Sequence, residues 1–277
     1  MLGEKNKQGK KSGRKKRRFS ILRLFSLLFI MFAAAFAFGI GINLFLQPTG
    51  QTVADNKVSS ENSAFYRVKR AMFIKNEVNA KISGKSLIPL EEMPRDLIHA
   101  IVAVEDNRFF SHHGVDFTAI GRATIANIEA GGIEEGASTI TQQLVKNLFL
   151  SSEQTFDRKI EEVILALDME AVYEKEEILE LYLNTIYFGS NFYGINEAAL
   201  GYFGKSPKEL NLEESAMLAG LPNAPSVYSP YVNLELAVKR QHIVLDAMEK
   251  NGYIIASTAK KAKNASLHFA KKENKGY

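Results

Sequence analysis

The sequence predicts a mainly α-helical protein with one membrane-spanning helix near its N-terminus. Between residues 94 and 250, apolar side chains recur every three or four positions in several segments, which is the period of a helix packed on one side. No series of segments alternates apolar and polar residues, so a sheet is not expected. Residues 24–46 form an uncharged run rich in Leu, Phe and Ala.

The composition excludes some classes of protein. The chain has 277 residues and no cysteine, so it is long enough for one large core or two small ones and forms neither disulfides nor thiolate metal sites. Its formal net charge is +4, but residues 1–18 alone hold nine Lys or Arg and one Glu, leaving 26 basic and 30 acidic residues elsewhere. The remainder is therefore acidic, and we expect no binding of nucleic acid.

The N-terminus predicts a membrane anchor. A basic tail, residues 1–23, precedes the apolar run of residues 24–46, and a bilayer core needs roughly 20 apolar residues in a helix. Basic residues before the span place the N-terminus in the cytoplasm and the rest of the chain outside. The alternative is a cleaved signal peptide, because Ala35 and Ala37 have the spacing of a cleavage site, but the run is long for a signal core. Residues 47–65 are polar and predict a linker.

Caps and apolar spacing predict the helices that follow. Residues 68–89 are expected to be irregular, with a hairpin as the alternative, and residues 256–277 form a polar C-terminal tail. On the fourth predicted helix, Ile160, Val163, Ile164, Leu167 and Ala171 share one apolar stripe, the side that an amphipathic helix buries. The predicted helices cover residues 94–105, 117–128, 139–148, 158 to beyond 173, 176–183, 211–220 and 234–250.

Three polar segments lie between these apolar helices, at residues 105–114, 136–147 and 158–162. Polar groups are costly to bury without partners, so together they predict a polar cleft. Glu105 ends an apolar helix, where desolvation raises the pKa of a carboxyl group. A general base that works near neutral pH requires such a shift. The alternative is an ordinary surface acid at the end of a helix.

The polar residues at 136–147 and 158–162 can be explained either by ordinary helix structure or by binding of a ligand. Glu162 follows Arg158 by four residues, which an exposed salt bridge along the helix would explain. Ser138, Thr139 and Gln142 stand at a helix start, where free N–H groups suit an anion, although an ordinary cap is the alternative. Basic side chains near both segments suit a diphosphate, or form a solvated face: Lys146, Arg158 and Lys159.

Two further patterns carry no function. His112 and His113 have no partner at a recognised metal-ligand spacing, so we expect His112 to make a structural hydrogen bond. Ser257 and Lys260 fit the Ser-x-x-Lys pattern of penicillin-binding transpeptidases. Too little chain follows Lys260 for such a domain, so the match is attributed to chance.

The order and spacing of five motifs resemble the peptidoglycan glycosyltransferase family (glycosyltransferase family 51) over about residues 88–253. Ala137 and Gln154 depart from the family pattern, where many members have Gly and some have a basic residue. The matching motifs are Glu-Asp-x-x-Phe-x-x-His-x-Gly at 105–114, Gly-x-Ser-Thr-Ile-Thr-Gln-Gln at 136–143, Arg-Lys-x-x-Glu at 158–162, Ile-Leu-Glu-x-Tyr-Leu-Asn at 178–184 and Ala-Pro-Ser-x-Tyr-Ser-Pro at 224–230.

The resemblance implies a two-lobed, lysozyme-like glycosyltransferase domain over residues 66–255 that acts on lipid II. Glu105 would be the general base that removes a proton from the sugar 4-hydroxyl of the acceptor lipid II. The growing glycan strand would be transferred to that oxygen with inversion, giving a β-1,4 link, and undecaprenyl diphosphate would leave. Glu162 would assist on the diphosphate side, where a divalent cation, Mg²⁺ or Mn²⁺, is compatible with the family but not certain.

The resemblance also assigns substrate contacts and partners. Lipid II, the nascent glycan strand and membrane lipid are expected, along with cell-wall synthesis and division proteins. Residues 120–133 are predicted to form a mobile flap that touches lipid. The sequence leaves open a monofunctional enzyme or part of a bifunctional one, and the missing transpeptidase domain favours the former. The alternatives are a lysozyme-like hydrolase and an inactive membrane-anchored scaffold. The expected substrate-binding residues are Asp106, Phe109, His112, Arg122, Ser138, Thr139, Gln142, Lys146, Asn147, Arg158 and Lys159.

Overall fold

The computed structural model describes residues 72–132, 136–151 and 155–270. The predicted basic tail, membrane span and linker lie outside these residues. Within the described ranges, no helix combines the length and hydropathy that crossing a bilayer requires.

The described residues are mainly helical, as predicted, and contain no β-strand. Two isolated β-bridges join His113 to Val115 and Tyr187 to Tyr193. Short 3-10 turns occupy Leu90–Glu92, Phe109–Ser111 and Pro207–Glu209. The helices are α1 (residues 72–82), α2 (Arg95–Glu105), α3 (Phe117–Ala130), α4 (Ile140–Phe149), α5 (Phe156–Glu170), α6 (Lys175–Thr185), α7 (Ile195–Phe203), α8 (Leu212–Gly220), α9 (Pro225–Tyr228), α10 (Leu234–Lys250) and α11 (Ala256–Lys263).

The chain divides into two compact units. Residues 67–124 and 135–277 form the larger unit, which contains all of the side chains discussed at the site below. The described residues 125–132 belong to the smaller unit. Its described part is the C-terminal portion of α3, which ends where the N–H groups of Gly131 and Gly132 donate to the carbonyl of Asn127.

Two groups of helices form the core of the larger unit. Helices α2, α8 and α10 pack against one another, and α4 packs against α5 and α6. Buried side chains such as Leu97, Leu144, Leu179, Leu218 and Val244 belong to one continuous hydrophobic core. Full burial of each such side chain contributes about 1.5–3 kcal/mol. This core holds the ends of α2, α4 and α5 that carry the polar residues of interest.

The expectation of irregular structure over residues 68–89 is wrong for residues 72–82, which form α1. Ile74 and Val78 are buried in the core, and Ile82 packs against it. The spacing of four is therefore a helical signal. It is weakened in the sequence by the intervening Asn76 and Asn79, which favour turns.

Helix α5 buries the face opposite to the predicted one. Ile160, Ile164 and Leu167 are 43%, 44% and 48% exposed, whereas Glu162 is 2% exposed and Ala166 is fully buried. The inner face of this helix is thus partly charged and its outer face is apolar. The helix also ends at Glu170 rather than beyond residue 173.

The predicted polar tail, residues 256–277, is instead part of the fold as far as Ala270. Helix α11 buries Ala259 and Ala262. The Phe269 ring stacks on Phe203 with centroids 5.4 Å apart. The N–H of Ala270 donates to the Tyr202 carbonyl at 2.8 Å. Sparse apolar residues among lysines hid this packing from the sequence analysis.

The loop between α6 and α7 depends on a close backbone approach at Gly194. This residue has φ +81°, and a Cβ added there would lie 2.3 Å from the carbonyl oxygen of Asn184. Its N–H donates to the carbonyl of Ile186 at 2.8 Å. Gly84 also has a positive φ of +76° but has no atom within 4 Å of an added Cβ.

These two glycines make a matched test of that approach. We expect Gly194→Ala to lower the free energy of unfolding by at least about 2 kcal/mol more than Gly84→Ala. Both variants carry the left-handed penalty of about 1–2 kcal/mol, but only the first carries the steric clash. Urea unfolding of both full-length variants in one detergent buffer measures the difference, and equal losses would contradict the prediction.

Candidate active site

Glu105 is the C-terminal residue of α2, and its carboxylate is held by side chains from other helices. Its side chain is 6% exposed, and its Oε1 lies 3.5 Å from a guanidinium nitrogen of Arg240 on α10. The Nε2 of Gln143 on α4 donates to Oε2 at 2.8 Å. The Tyr182 hydroxyl on α6 donates to the Oε1 of Gln143 at 3.1 Å. The tyrosine therefore fixes the amide so that its N–H group faces Glu105.

Burial raises the pKa of the Glu105 carboxyl above its ordinary value. The hydrogen bond from Gln143 and the charges of Arg240 and Lys146 oppose this rise, and the neighbouring Asp106 adds to it. The net direction is upward because a charged group loses more hydration than these partners restore. The prediction of a desolvated Glu105 is confirmed, and the surface-acid alternative is wrong.

Glu162 lies on the buried face of α5 with a cation on each oxygen. Arg158 Nη1 is 3.1 Å from Oε2, and Lys159 Nζ contacts Oε1. The i,i+4 pair with Arg158 is present as predicted, but it is not an exposed pair, because the Glu162 side chain is only 3% exposed. The cluster of one acid and two bases carries a net charge of +1 and reaches the surface through Lys159, which is 43% exposed.

One short segment connects the two acidic clusters. Lys159 Nζ donates to the Ser138 hydroxyl at 3.1 Å, and Gln143 contacts Glu105 at the other end of that segment. Ser138 is exposed. Residues 138–143, the start of α4 with the residues before it, thus contact Glu105 directly through Gln143 and reach Glu162 through Lys159.

Residues of the motif at 105–114 hold the start of α4 in place. His112 Nε2 lies 3.0 and 2.9 Å from the two Asp106 oxygens, and the N–H of Ile140 donates to Asp106 Oδ2 at 3.1 Å. Phe109 is fully buried. The structural hydrogen bond predicted for His112 is confirmed. Asp106 and His112 are buried and hold the start of α4 through Ile140. The substrate roles of Asp106, Phe109 and His112 stay predictions.

Thr139 and Gln142 form an ordinary helix cap. The Thr139 hydroxyl oxygen accepts from the N–H of Gln142 at 3.1 Å, and Gln142 Oε1 accepts from the N–H of Thr139 at 3.0 Å. The Thr139 hydroxyl also donates to the Gly114 carbonyl at 2.7 Å. Both side chains are buried. The cap alternative is confirmed, and the N–H groups of Ile140 and Gln142 have protein acceptors. The substrate roles of Thr139 and Gln142 stay predictions.

Three more residues predicted to bind substrate are exposed. Lys146 and Asn147 lie on α4, and Arg122 lies on α3. Lys146 follows Gln143 by three residues, and its charge acts on Glu105. Lys146 therefore lies on the side of α4 that carries the site. The substrate roles of Arg122 and Asn147 stay predictions.

Ligand atoms of Asp106, His112 and Asp116 lie within 4.8 Å of one another. Asp106 is already bonded to His112, and Asp116 lies 3.0 Å from Arg108 Nε. A divalent cation there would have to displace a guanidinium. Both oxygens of Glu162 are likewise engaged by cationic side chains. Neither group of residues fits a divalent cation as arranged, so no chemical step is assigned to one.

Three residues that hold Glu105 were not among the predicted site residues: Gln143, Tyr182 and Arg240. Gln143 and Tyr182 stand inside matched motifs but were not assigned to the site. Arg240 lies in α10 between the buried residues Ala237 and Val244, three residues after one and four before the other. A basic residue on the buried face of a helix is the signal that could have identified Arg240, since charged groups are rarely buried unpaired.

Comparisons with known proteins identify the family of this chain. A sequence profile described as transglycosylase matches residues 74–249. Penicillin-binding protein 1A of Aquifex aeolicus is 42% identical over 241 residues, which are 85% of this chain and 32% of that protein. Penicillin-binding protein 1F of Bacillus subtilis is 46% identical over 180 residues, which are 65% of this chain and 25% of that protein.

A solved structure of penicillin-binding protein 1A from Haemophilus influenzae is 33% identical to this chain. The matched region covers 48% of this chain and 17% of the Haemophilus influenzae chain, with a TM-score of 0.34. At this value the superposition gives no information about the fold.

The profile matches more than half of the chain, and the chain therefore belongs to the transglycosylase family. It spans only about a quarter to a third of the length of the two curated relatives named here.

The raised pKa of Glu105 makes a prediction about stability. A folded-state pKa above the unfolded one means that stability is fully present below the unfolded pKa and is lost as pH rises through the folded pKa. Glu105→Gln cannot ionise and escapes this loss. We expect the variant to melt higher than the parent at pH 8, by about 2–4 °C per kcal/mol relieved. The difference should vanish near pH 4.

Thermal unfolding of the full chain at several pH values measures this effect. The control is Glu235→Gln, because the Glu235 side chain is 77% exposed and its ion pair with Lys239 lies at the surface. It should change the melting temperature little at any pH. A Glu105→Gln variant that is less stable than the parent at every pH would contradict the prediction.

Proposed function

We propose that this chain is a peptidoglycan glycosyltransferase that polymerises lipid II into β-1,4 glycan strands. Membership of the transglycosylase family supports the reaction class. The observation that carries the proposal is the buried Glu105 carboxyl, whose pKa is raised by burial and whose position is fixed by Gln143. A carboxylate prepared in this way is suited to remove a proton near neutral pH.

In the proposed reaction, Glu105 accepts the proton of the acceptor sugar 4-hydroxyl. That oxygen forms a bond to the anomeric carbon of the growing strand, and the bond from that carbon to undecaprenyl diphosphate breaks. The diphosphate leaves with the electron pair, and an α-linked donor becomes a β-1,4 link. A single displacement with inversion requires no covalent glycosyl-enzyme.

The two oxygens of Glu105 have different surroundings. Oε2 accepts from Gln143, whereas Oε1 is buried and accepts no hydrogen bond within the described residues. We assign the proton transfer to Oε1, which has unused lone pairs. Because this oxygen is screened from solvent, a substrate hydroxyl reaches it only after side chains at the site have moved.

The cluster around Glu162 suits the leaving group. Arg158 and Lys159 exceed the charge of Glu162 by one, and Lys159 reaches the exposed Ser138 hydroxyl. Positive charge held in place stabilises a departing diphosphate. In this proposal Glu162 fixes the two cations and takes no proton itself. The two-lobed, lysozyme-like cleft around both clusters is part of the same proposal.

Polymerisation of purified, labelled lipid II by the full chain tests the reaction. The parent should produce glycan polymer, and Glu105→Gln should lose at least about a hundredfold in rate, the usual contribution of a general base. Glu235→Gln, on the exposed face of α10, should polymerise like the parent. Normal polymerisation by Glu105→Gln would exclude it as the base. Release of soluble sugar from finished cell wall, without polymerisation, would identify a hydrolase, and no activity on either would favour a scaffold.

The substrate's polyprenyl tail requires the enzyme to work at a membrane, and we propose that the chain does so from the outer face. The predicted span of residues 24–46 supports that placement, although it lies outside the described residues. Phe117 is 80% exposed and Ile120 is 38% exposed on α3. Most of the predicted flap, residues 120–130, is helical. Its mobility and its lipid contact are part of this proposal.

Hydrogen exchange tests the lipid contact. We expect peptides covering residues 117–132 to exchange more slowly in lipid vesicles than in detergent micelles, because bilayer contact excludes water from the helix. Peptides from α10 serve as the internal control and should exchange equally in both. Equal protection of residues 117–132 in the two media would count against the contact.

A further inference from the structure

We propose that Arg240 on α10 is a positioning residue for Glu105, which holds the carboxylate in place and keeps it ionised during the reaction. This inference rests on the proposed function of Glu105 as the general base. It concerns a residue far along the chain from the three polar segments.

The guanidinium of Arg240 is fixed from three sides. Its Nε donates to the carbonyl oxygen of Gly220, the last residue of α8, at 3.2 Å. Its central carbon lies 5.7 Å from the centroid of the Tyr228 ring on α9. A terminal nitrogen lies 3.5 Å from Glu105 Oε1, and the side chain is only 13% exposed. A planar group held by three different elements has little freedom to turn away from the carboxylate.

The absence of a side chain at Gly220 leaves room for the side chain of Arg240. A Cβ added to Gly220 would lie 2.9 Å from the Cγ of Arg240 and 3.5 Å from a methyl carbon of Val244. Gly220 is in the last turn of α8 and does not have a positive φ. The backbone conformation therefore does not require glycine at position 220. The close approach of the aliphatic part of the Arg240 side chain does.

The charges around Glu105 make Arg240 the main candidate for this role. The groups that face the carboxylate are Gln143 and Lys146 from α4, Arg240 from α10 and the adjacent Asp106, with Tyr182 of α6 behind Gln143. Lys146 is exposed, so water and salt weaken its charge. Arg240 is the shielded cation of this group. Without it, burial and Asp106 would both favour a protonated Glu105, which cannot act as a base.

The separation is also suited to a base that must accept a proton. At 3.5 Å the contact is longer than the 2.7–2.9 Å of a charge-assisted hydrogen bond. Glu105 Oε1 therefore gains electrostatic support without a donor occupying its lone pairs. A shorter, two-point contact would favour the carboxylate form but would compete with the substrate hydroxyl.

The experiment compares Arg240→Gln, Arg240→Lys and the control Lys239→Gln. Lys239 neighbours Arg240 on α10 but pairs with Glu235 at the surface. Two readouts are used on the full chain: the pH profile of kcat/KM for lipid II polymerisation, and infrared titration of the Glu105 carboxyl without substrate. The second is obtained as the difference from the same protein carrying Glu105→Gln.

Arg240→Gln should move the acid limb of the pH profile, and the infrared titration, upward by about 1–3 pH units, the effect of one nearby opposite charge. The rate near neutral pH should fall about tenfold or more and recover as pH rises. Arg240→Lys should shift both readouts less, and Lys239→Gln should leave both unchanged.

A uniform loss of rate with an unmoved acid limb and titration would show a purely structural arginine and overturn the proposal. If Arg240→Gln does not fold, Arg240→Lys decides, because the single nitrogen of Lys does not reproduce the two separate nitrogens with which Arg240 contacts Gly220 and Glu105. An unshifted titration in that variant overturns the proposal. If the parent does not polymerise lipid II, the proposed function fails, while the infrared titration still tests the pairing of Arg240 with Glu105.

Discussion

The burial of one carboxylate, that of Glu105, is the constraint on which the arrangement of this site depends. A carboxylate removed from water must receive hydrogen bonds or charge from the protein. No single helix supplies them here: Gln143 comes from α4, its orienting tyrosine from α6 and Arg240 from α10. These helices are held together by the hydrophobic core, so packing far from the acid determines where its partners lie.

The motif residues fall into two groups that differ in depth. Asp106, His112 and Thr139 are buried and bonded to one another or to backbone groups, so they hold the start of α4 in place. Lys146 and Ser138 are exposed and lie where a ligand can reach them. The motifs of the sequence therefore contain both buried residues that hold the backbone and exposed residues that a ligand can contact. Only the burial of each side chain distinguishes the two groups.

Helices with clear caps and a packed apolar face could be predicted from the sequence. Helix α10 has the bounds predicted for it, Leu234–Lys250, and α8, Leu212–Gly220, lies within the predicted range 211–220. Helix α5 could not be oriented in the same way. Its apolar stripe is exposed because the opposite, buried face carries the ion cluster of Glu162. Apolar periodicity shows that a helix has two different faces, but here it does not show which of them is buried. The depth of Glu105 followed from its place in an apolar helix, whereas Arg240 depends on contacts between distant segments.

The phenol of Tyr182 stays protonated at the pH values at which Glu105 ionises. Burial and the negative charges of Glu105 and Asp106 raise its pKa well above the ordinary value. Its hydroxyl consequently keeps its proton throughout the range in which the glutamate ionises. The amide of Gln143 has no proton to lose in that range either. The two side chains of this hydrogen-bonded chain, Tyr182 and Gln143, therefore keep the same charge while Glu105 ionises.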